Sequence, residues 1–239
     1  MTEKIKFLIK KELYDYFYSI KYYFFFAIYL FLSGYFISNY VSVHNTTNIE
    51  GIFPNIMILF IIFIPFLCVI SIHKESKYGG GKIIIASPTT PLEILIAKFA
   101  SIYIISFIGL FINVIQFILV RFIDVISFRL LATTFIGFAI LLFALIALNL
   151  LFATLTSNPY LNYGIAFFSM VVILLLGYFI DYIPGFIEPV YAFFSLFTDI
   201  KSFWLIGKIN IYPILHSAVI ALIALHGSCF SIEKRWRDE

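Results

Sequence analysis

Charge is what this chain has least of. Only 12% of its 239 residues are Asp, Glu, Lys or Arg, about half the share of a soluble domain. A soluble globular protein is thereby excluded. Cysteine is nearly absent, and the two present, Cys68 and Cys229, sit inside apolar runs without CxxC spacing. They read as small apolar filler rather than as a disulfide framework or thiolate metal site. Catalytic constellations are missing too, so the chain is not expected to be an enzyme. Gly79-Gly80-Gly81-Lys82 is followed by Ile83. It lacks both the leading glycine and the Ser or Thr of a phosphate-cradling loop. The four histidines, His44, His73, His216 and His226, form no HExxH motif, and helix packing is the expected role of His216 and His226. Paired carboxylates inside the apolar blocks are lacking, which counts against an ion- or proton-coupled carrier. No bound cofactor, no metal and no nucleic acid is expected.

What the chain does have is apolar length. Hydrophobic residues make up 62% of it, in blocks of about 20, the length a helix needs to cross a ~30 Å hydrocarbon core. The ~10-residue alternation of a membrane barrel does not occur. The expected fold is an all-α polytopic membrane protein in one permease-like domain with six transmembrane helices. The spans fall at about 22–43, 52–72, 94–120, 130–154, 160–180 and 211–232. Pro65 inside the second predicts a bent helix that faces protein. Residues 2–21 place Ile5, Leu8, Ile9, Leu13, Tyr16, Phe17 and Ile20 at three- and four-residue steps, opposite Lys4, Lys10, Lys11 and Asp15. That periodicity predicts an amphipathic helix lying in the membrane interface, apolar face down, with its lysines toward anionic lipid headgroups. The apolar block behind it is too long for a cleavable signal peptide. Between Glu188 and Asp199 the apolar core is too short to span, so 181–210 is expected to form short surface or re-entrant helices.

Polar landmarks are few. The longest is 73–98, between the second and third blocks, with Lys74, Lys77 and Lys82, three successive glycines, Pro88 and Pro91. It is expected to fold as a docking element for another protein. Lys98 is expected to snorkel to the surface. Asn113 and Gln116 lie three apart on one face of the third span. Polar side chains at that depth turn inward to a neighbouring helix or toward a transported molecule. Six spans put both termini on the side of the 73–93 loop, where twelve of the Lys and Arg residues gather against four on the other. By the positive-inside rule that side is cytoplasmic, in a multi-pass cell-membrane protein.

Several short motifs recur in a familiar order. Lys11-Glu12-Leu13 precedes Tyr16-Phe17-Tyr18-Ser19, then come Leu32-Ser33-Gly34-Tyr35-Phe36 and Ile64-Pro65. Next are Glu75, Lys77, Gly79, Ile83-Ile84-Ile85 and Ala86-Ser87-Pro88, followed by Glu93 and Lys98-Phe99. Thr154-Leu155-Thr156-Ser157-Asn158 and Glu233-Lys234-Arg235-Trp236 complete the set. In this order they resemble the permease subunits of type-2 ABC export systems, above all the six-span group of gliding-motility and nitrous-oxide-reductase maturation transporters. The chain departs from that pattern at Lys82, where the family commonly has an acidic residue, and at Gly80, where it has a threonine. The resemblance implies a permease that binds no ATP itself. ATP and magnesium would sit in a separate ABC ATPase subunit that docks on Lys74, Glu75, Lys77, Gly79, Lys82, Ser87, Pro88 and Glu93. A second cytoplasmic loop, Thr156, Ser157 and Asn158, would join that surface, and a second permease copy or paralogue would complete the transporter. Two other classes are open to such a chain. A secondary carrier calls for inverted repeats and midplane charges, and neither is visible. A non-transporting membrane scaffold would carry no ATPase. No polar stripe in the spans is rich enough to name a substrate.

Overall fold

Helix starts in this protein are written in short polar signatures. A computed structural model describes residues 2–44, 49–77, 89–120, 128–179 and 211–238. Seven long helices make up these segments: α1 (Thr2–Phe17), α2 (Ile20–His44), α3 (Ile49–Lys77), α4 (Pro91–Val120), α5 (Phe128–Thr154), α6 (Pro159–Phe179) and α7 (Ile211–Asp238). At the head of α4, Thr90 Oγ1 accepts the Glu93 N–H at 3.3 Å, while Glu93 Oε2 accepts the Thr90 N–H at 3.0 Å. With Pro91 at the first helical position, this is a reciprocal cap that satisfies two otherwise orphan donors. At the head of α6, Asn158 precedes Pro159, and its Oδ1 accepts the Tyr160 N–H at 3.0 Å.

Five of the helices are long and apolar enough to cross a membrane: α2, most of α3, α4, α5 and α7. α6 is apolar and shorter over its described side chains. Among the described residues there is no strand. The segment 181–210, expected to carry short surface helices, lies outside the described residues.

α5 is the axis of the bundle. Leu141, Leu142, Ala144, Leu145, Ile146, Ala147 and Leu150 are all buried, and α3, α4, α6 and α7 pack around it. α3 is the second interior helix, with 67% of its membrane window buried against 17% for α2. That contrast makes α2 a peripheral helix with most of its surface turned outward. Phe138 of α5 meets Phe53 and Phe60 of α3 edge-on, at centroid distances of 5.2 Å and 5.0 Å. Tyr29 of α2 stands edge-on to Phe60 at 5.3 Å. Such aromatic pairs add directional packing to the bulk burial. Pro65 is buried within α3, as a proline facing protein should be.

α7 approaches α5 through small side chains. Ala221, Ala224 and Ser228 are buried, and a Cβ placed on Gly227 would stand 3.0 Å from Leu151 Cδ1. Small residues at such seams let two membrane helices draw close, where dispersion forces rather than water expulsion hold them.

The helices run further than the apolar blocks suggested. α3 continues to Lys77 and α4 begins at Pro91, so both ends of the expected 73–93 loop are helical. At 29 and 30 residues these helices exceed the ~20 that a bilayer core requires. Their last and first turns are long enough to carry polar side chains out of it.

Gly227→Leu should force α7 away from α5 and cost about 1–3 kcal/mol, as overpacking typically does. Thermal unfolding of the purified protein in detergent should show a lower midpoint, with Gly227→Ala closer to wild type. An unchanged midpoint for the leucine variant would dismiss the close approach.

A polar cluster at the end of the bundle

Among the described residues, several buried polar side chains collect at one end of the bundle, where α1, the last turns of α3, the first turns of α4 and the α5–α6 turn meet. Lys98 of α4 is at its centre. Its Nζ lies 2.9 Å from Glu12 Oε1 of α1 and donates to the Ser71 carbonyl of α3 at 2.7 Å. Both members of the pair are buried, with side chains 3% and 8% exposed. A charge in a low-dielectric interior persists only when matched and hydrogen-bonded, and this ammonium is matched by one charge and one carbonyl. Lys98 was expected to snorkel outward. It turns inward instead, because Glu12 is presented to it from the face of α1 that packs on the bundle.

That face is the apolar one. Glu12 and Tyr16 are buried, while Lys4, Lys6, Lys10 and Lys11 are exposed. Part of the apolar side of α1 therefore packs on α4 and bonds to α3, while Phe17 of that side is exposed. Tyr16 donates its hydroxyl to the Leu67 carbonyl at 3.2 Å. Burial pushes its phenol well above the ordinary value, so it remains a hydroxyl and a donor. Ser101 of α4 donates to the Ile9 carbonyl at 3.4 Å. At the rim, Lys74 Nζ meets Asp15 Oδ2 at 2.6 Å. This outer pair is about one-third exposed on each side and contributes little by itself.

The α5–α6 turn is fastened to the same stretch of α3. Asn162, fully buried, sets its Nδ2 2.7 Å from the Ala153 carbonyl, 2.8 Å from the Thr156 carbonyl and 2.8 Å from His73 Nε2. Its Oδ1 accepts the Thr156 hydroxyl at 2.6 Å and the Thr156 N–H at 3.1 Å. Ser231 of α7 donates to the Thr154 carbonyl at 2.9 Å. Leu67, Ser71, His73 and Lys74, two turns of one helix, thus bond to α1, to α4 and to the first turn of α6. Both terminal helices, α1 and the end of α7, lie at this end.

Of the residues expected to dock a partner, Lys74 stands at the edge of this cluster, bonded to Asp15. Glu93 spends its carboxylate on the cap of α4. The side chains of Glu75 and Lys77 and the residues Gly79, Lys82, Ser87 and Pro88 lie outside the described residues. Thr156 and Asn158 order the α5–α6 turn, while Ser157 is exposed. In the last third of α4, Asn113 Nδ2 bonds to Tyr29 Oη of α2, and Gln116 Nε2 donates to Ser33 Oγ at 3.1 Å. The expected inward bonding of this pair to a neighbouring helix is what the structure shows. No protein-family model matches the chain, and no curated protein sequence matches it.

Lys98→Met alone should strand the Glu12 carboxylate in a buried site and cost about 3–5 kcal/mol, the range for breaking a buried pair. The double variant Glu12→Leu, Lys98→Met removes both charges and should recover most of that loss. Thermal unfolding, together with proteolysis at the Tyr18-Ser19 turn, would read the difference. Equal melting of single, double and wild-type proteins would mean the pair is not buried. Asn162→Leu, which breaks the link from α3 to the α5–α6 turn, should increase deuterium exchange across 153–162 and leave α1 unchanged.

Proposed function

We propose that this chain is the membrane-spanning permease subunit of an ATP-binding-cassette exporter, with ATP hydrolysis in a separate subunit. In this reading α2, α3, α4, α5, α6 and α7 are six spans, α1 lies at the cytoplasmic interface, and both termini are cytoplasmic. The ATPase grips the stretch between α3 and α4.

The observation that carries the proposal is the bonding of one segment, Leu67–Lys74, to three other elements. This segment leads into the proposed docking stretch. A displacement delivered there passes along continuous helix, since α3 reaches Lys77 and α4 starts at the capped Thr90. Lys98, Tyr16 and Asn162 then oblige α1, α4 and the α5–α6 turn to follow. A packed and hydrogen-bonded body moves as a unit rather than deforming continuously. That is the requirement for a subunit that performs no chemistry and receives its work from outside. Two such permeases facing each other would pair with two ATPases. The positively charged side chains of the docking stretch, Lys77 and Lys82, suit an acidic groove on that partner.

Purification of the tagged chain from its native membrane should bring down an ABC ATPase subunit in stoichiometric amount. Lys77→Glu combined with Lys82→Glu should weaken that association at least tenfold while changing the stability of the chain by no more than about 0.5 kcal/mol. A chain that purifies without an ATPase, or single cysteines at 79–81 that react with an impermeant reagent from outside the cell, would dismiss the reading.

A further inference from the structure

Most of the stripe of α1 expected to lie on lipid, Ile5, Leu8, Ile9, Leu13 and Tyr16, is buried or half-buried. The helix carries a second stripe on its opposite side. Phe7, Tyr14 and Tyr18 are 70%, 57% and 72% exposed, and steps of seven and four place them in one line. The Tyr18 N–H bonds to the Tyr14 carbonyl at 3.0 Å, so the line continues past the last helical residue. The Tyr14 and Tyr18 rings stack, with centroids 4.0 Å apart. Lysines flank this aromatic ridge. At about 100° per residue, Lys6 and Lys10 fall on one side of it and Lys4 and Lys11 on the other. All four are exposed. Among the described residues of α1, only Glu3 is both exposed and acidic.

The partners of α1 fix how it lies. Ile9 and Glu12 bond to Ser101 and Lys98 of α4, whereas Asp15 and Tyr16 bond to Lys74 and Leu67 of α3. α1 therefore lies across these two helices rather than alongside either. Its level follows from the length of α4. At 30 residues that helix is about 45 Å long, so a centred ~30 Å hydrocarbon core begins about 7–8 Å from Pro91. Lys98 stands about 10 Å along the helix from Pro91. α1 thus crosses the bundle at the boundary between headgroups and acyl chains. Exposed rings continue beyond the turn, at Tyr23 and Phe24 of α2, a span with only 17% of its membrane window buried. The ridge is the start of the surface that this span turns to lipid.

We propose that the outward face of α1 is a docking surface for anionic phospholipid. Phe7, Tyr14 and Tyr18 sit at the acyl boundary, where aromatic rings are at home. The flanking lysines extend their apolar stems past the rings and bring their ammonium groups to the headgroup phosphates. A zwitterionic headgroup balances its phosphate with its own ammonium, so the lysines select lipids of net negative charge. The opposite face of α1 carries Glu12 to Lys98, so attraction to the headgroups presses the helix into its seat on the bundle. Leaflet charge thereby sets how firmly the polar junction is closed. Neither the surface nor its effect depends on the export proposal.

The test uses the full chain in nanodiscs of phosphatidylcholine and phosphatidylglycerol in equal amounts. p-Benzoylphenylalanine replaces Tyr14 in one variant and Phe31, on the outward face of α2, in another. Lipids captured on irradiation are identified by mass spectrometry. At position 14 phosphatidylglycerol should exceed phosphatidylcholine about fivefold, the scale of one lysine near an anionic surface. At position 31 the two should be captured equally. Lys6→Gln with Lys10→Gln should bring the ratio at position 14 toward one. Molar salt, which shortens the Debye length to ~3 Å, should do the same without any substitution. Deuterium exchange of the α1 amides should be slower in this mixture than in phosphatidylcholine alone, and the double variant should erase the difference. Capture at position 14 in proportion to bulk composition would overturn the choice of anionic lipid. Capture of protein or of nothing there, with lipid still captured at position 31, would overturn the docking surface itself. Equal exchange in both nanodiscs would overturn the seating of α1 by leaflet charge.

Discussion

The architecture at the polar end depends on one buried charge finding its partners. Lys98 is buried in the bundle, and its ammonium is matched there by Glu12 and the Ser71 carbonyl. Satisfying it fixes three helices at once. α1 must present Glu12 at one height, α4 must present Lys98 at the same height, and α3 must offer a carbonyl between them. A buried ion pair is a poor source of net stability, since desolvation offsets most of the attraction. What it supplies here is register. Apolar contacts alone would let α1 slide or roll on α4 at little cost, whereas a displaced Glu12 would leave two uncompensated charges.

The same logic extends along α3. Its buried middle is held by shape, through Phe53, Phe60 and Phe138. Its last two turns are held by directional bonds, through Leu67, Ser71, His73 and Lys74. Shape complementarity transmits compression but resists twisting weakly, while hydrogen bonds resist both. The helix therefore changes character along its length. It is a packed core element at one end and a bonded junction at the other, and the junction adjoins the stretch where a partner would act.

The helical class could be read directly, because blocks of about twenty apolar residues admit few other folds. Boundaries were less legible. Thr90, Pro91 and Glu93 form a capping signature, yet Glu93 enters the docking set through the resemblance and not through the helix it starts. Lys98 illustrates a different limit. A lysine near a span end is ordinarily drawn outward, and only its pairing with a residue 86 positions away reverses that. A sign of the pairing was present, since Glu12 interrupts the apolar face formed by Leu8, Ile9, Leu13 and Tyr16. Asn162 had no such sign, because its bond to His73 reaches 89 positions back along the chain. Asn113 and Gln116 stood out as polar residues at membrane depth.

α2 is the most open of the five long apolar helices, and only the Tyr18-Ser19 turn separates it from α1. A span with so little protein around it is the one on which bilayer thickness acts first, through the tilt that relieves hydrophobic mismatch. The turn is stiff, with the Tyr18 N–H bonded to the Tyr14 carbonyl and the Tyr22 N–H bonded to the Ser19 carbonyl. Tilting α2 therefore pulls on α1, and through Glu12 on Lys98. The lipid environment is mechanically wired to the junction by the least buried of the five long apolar helices.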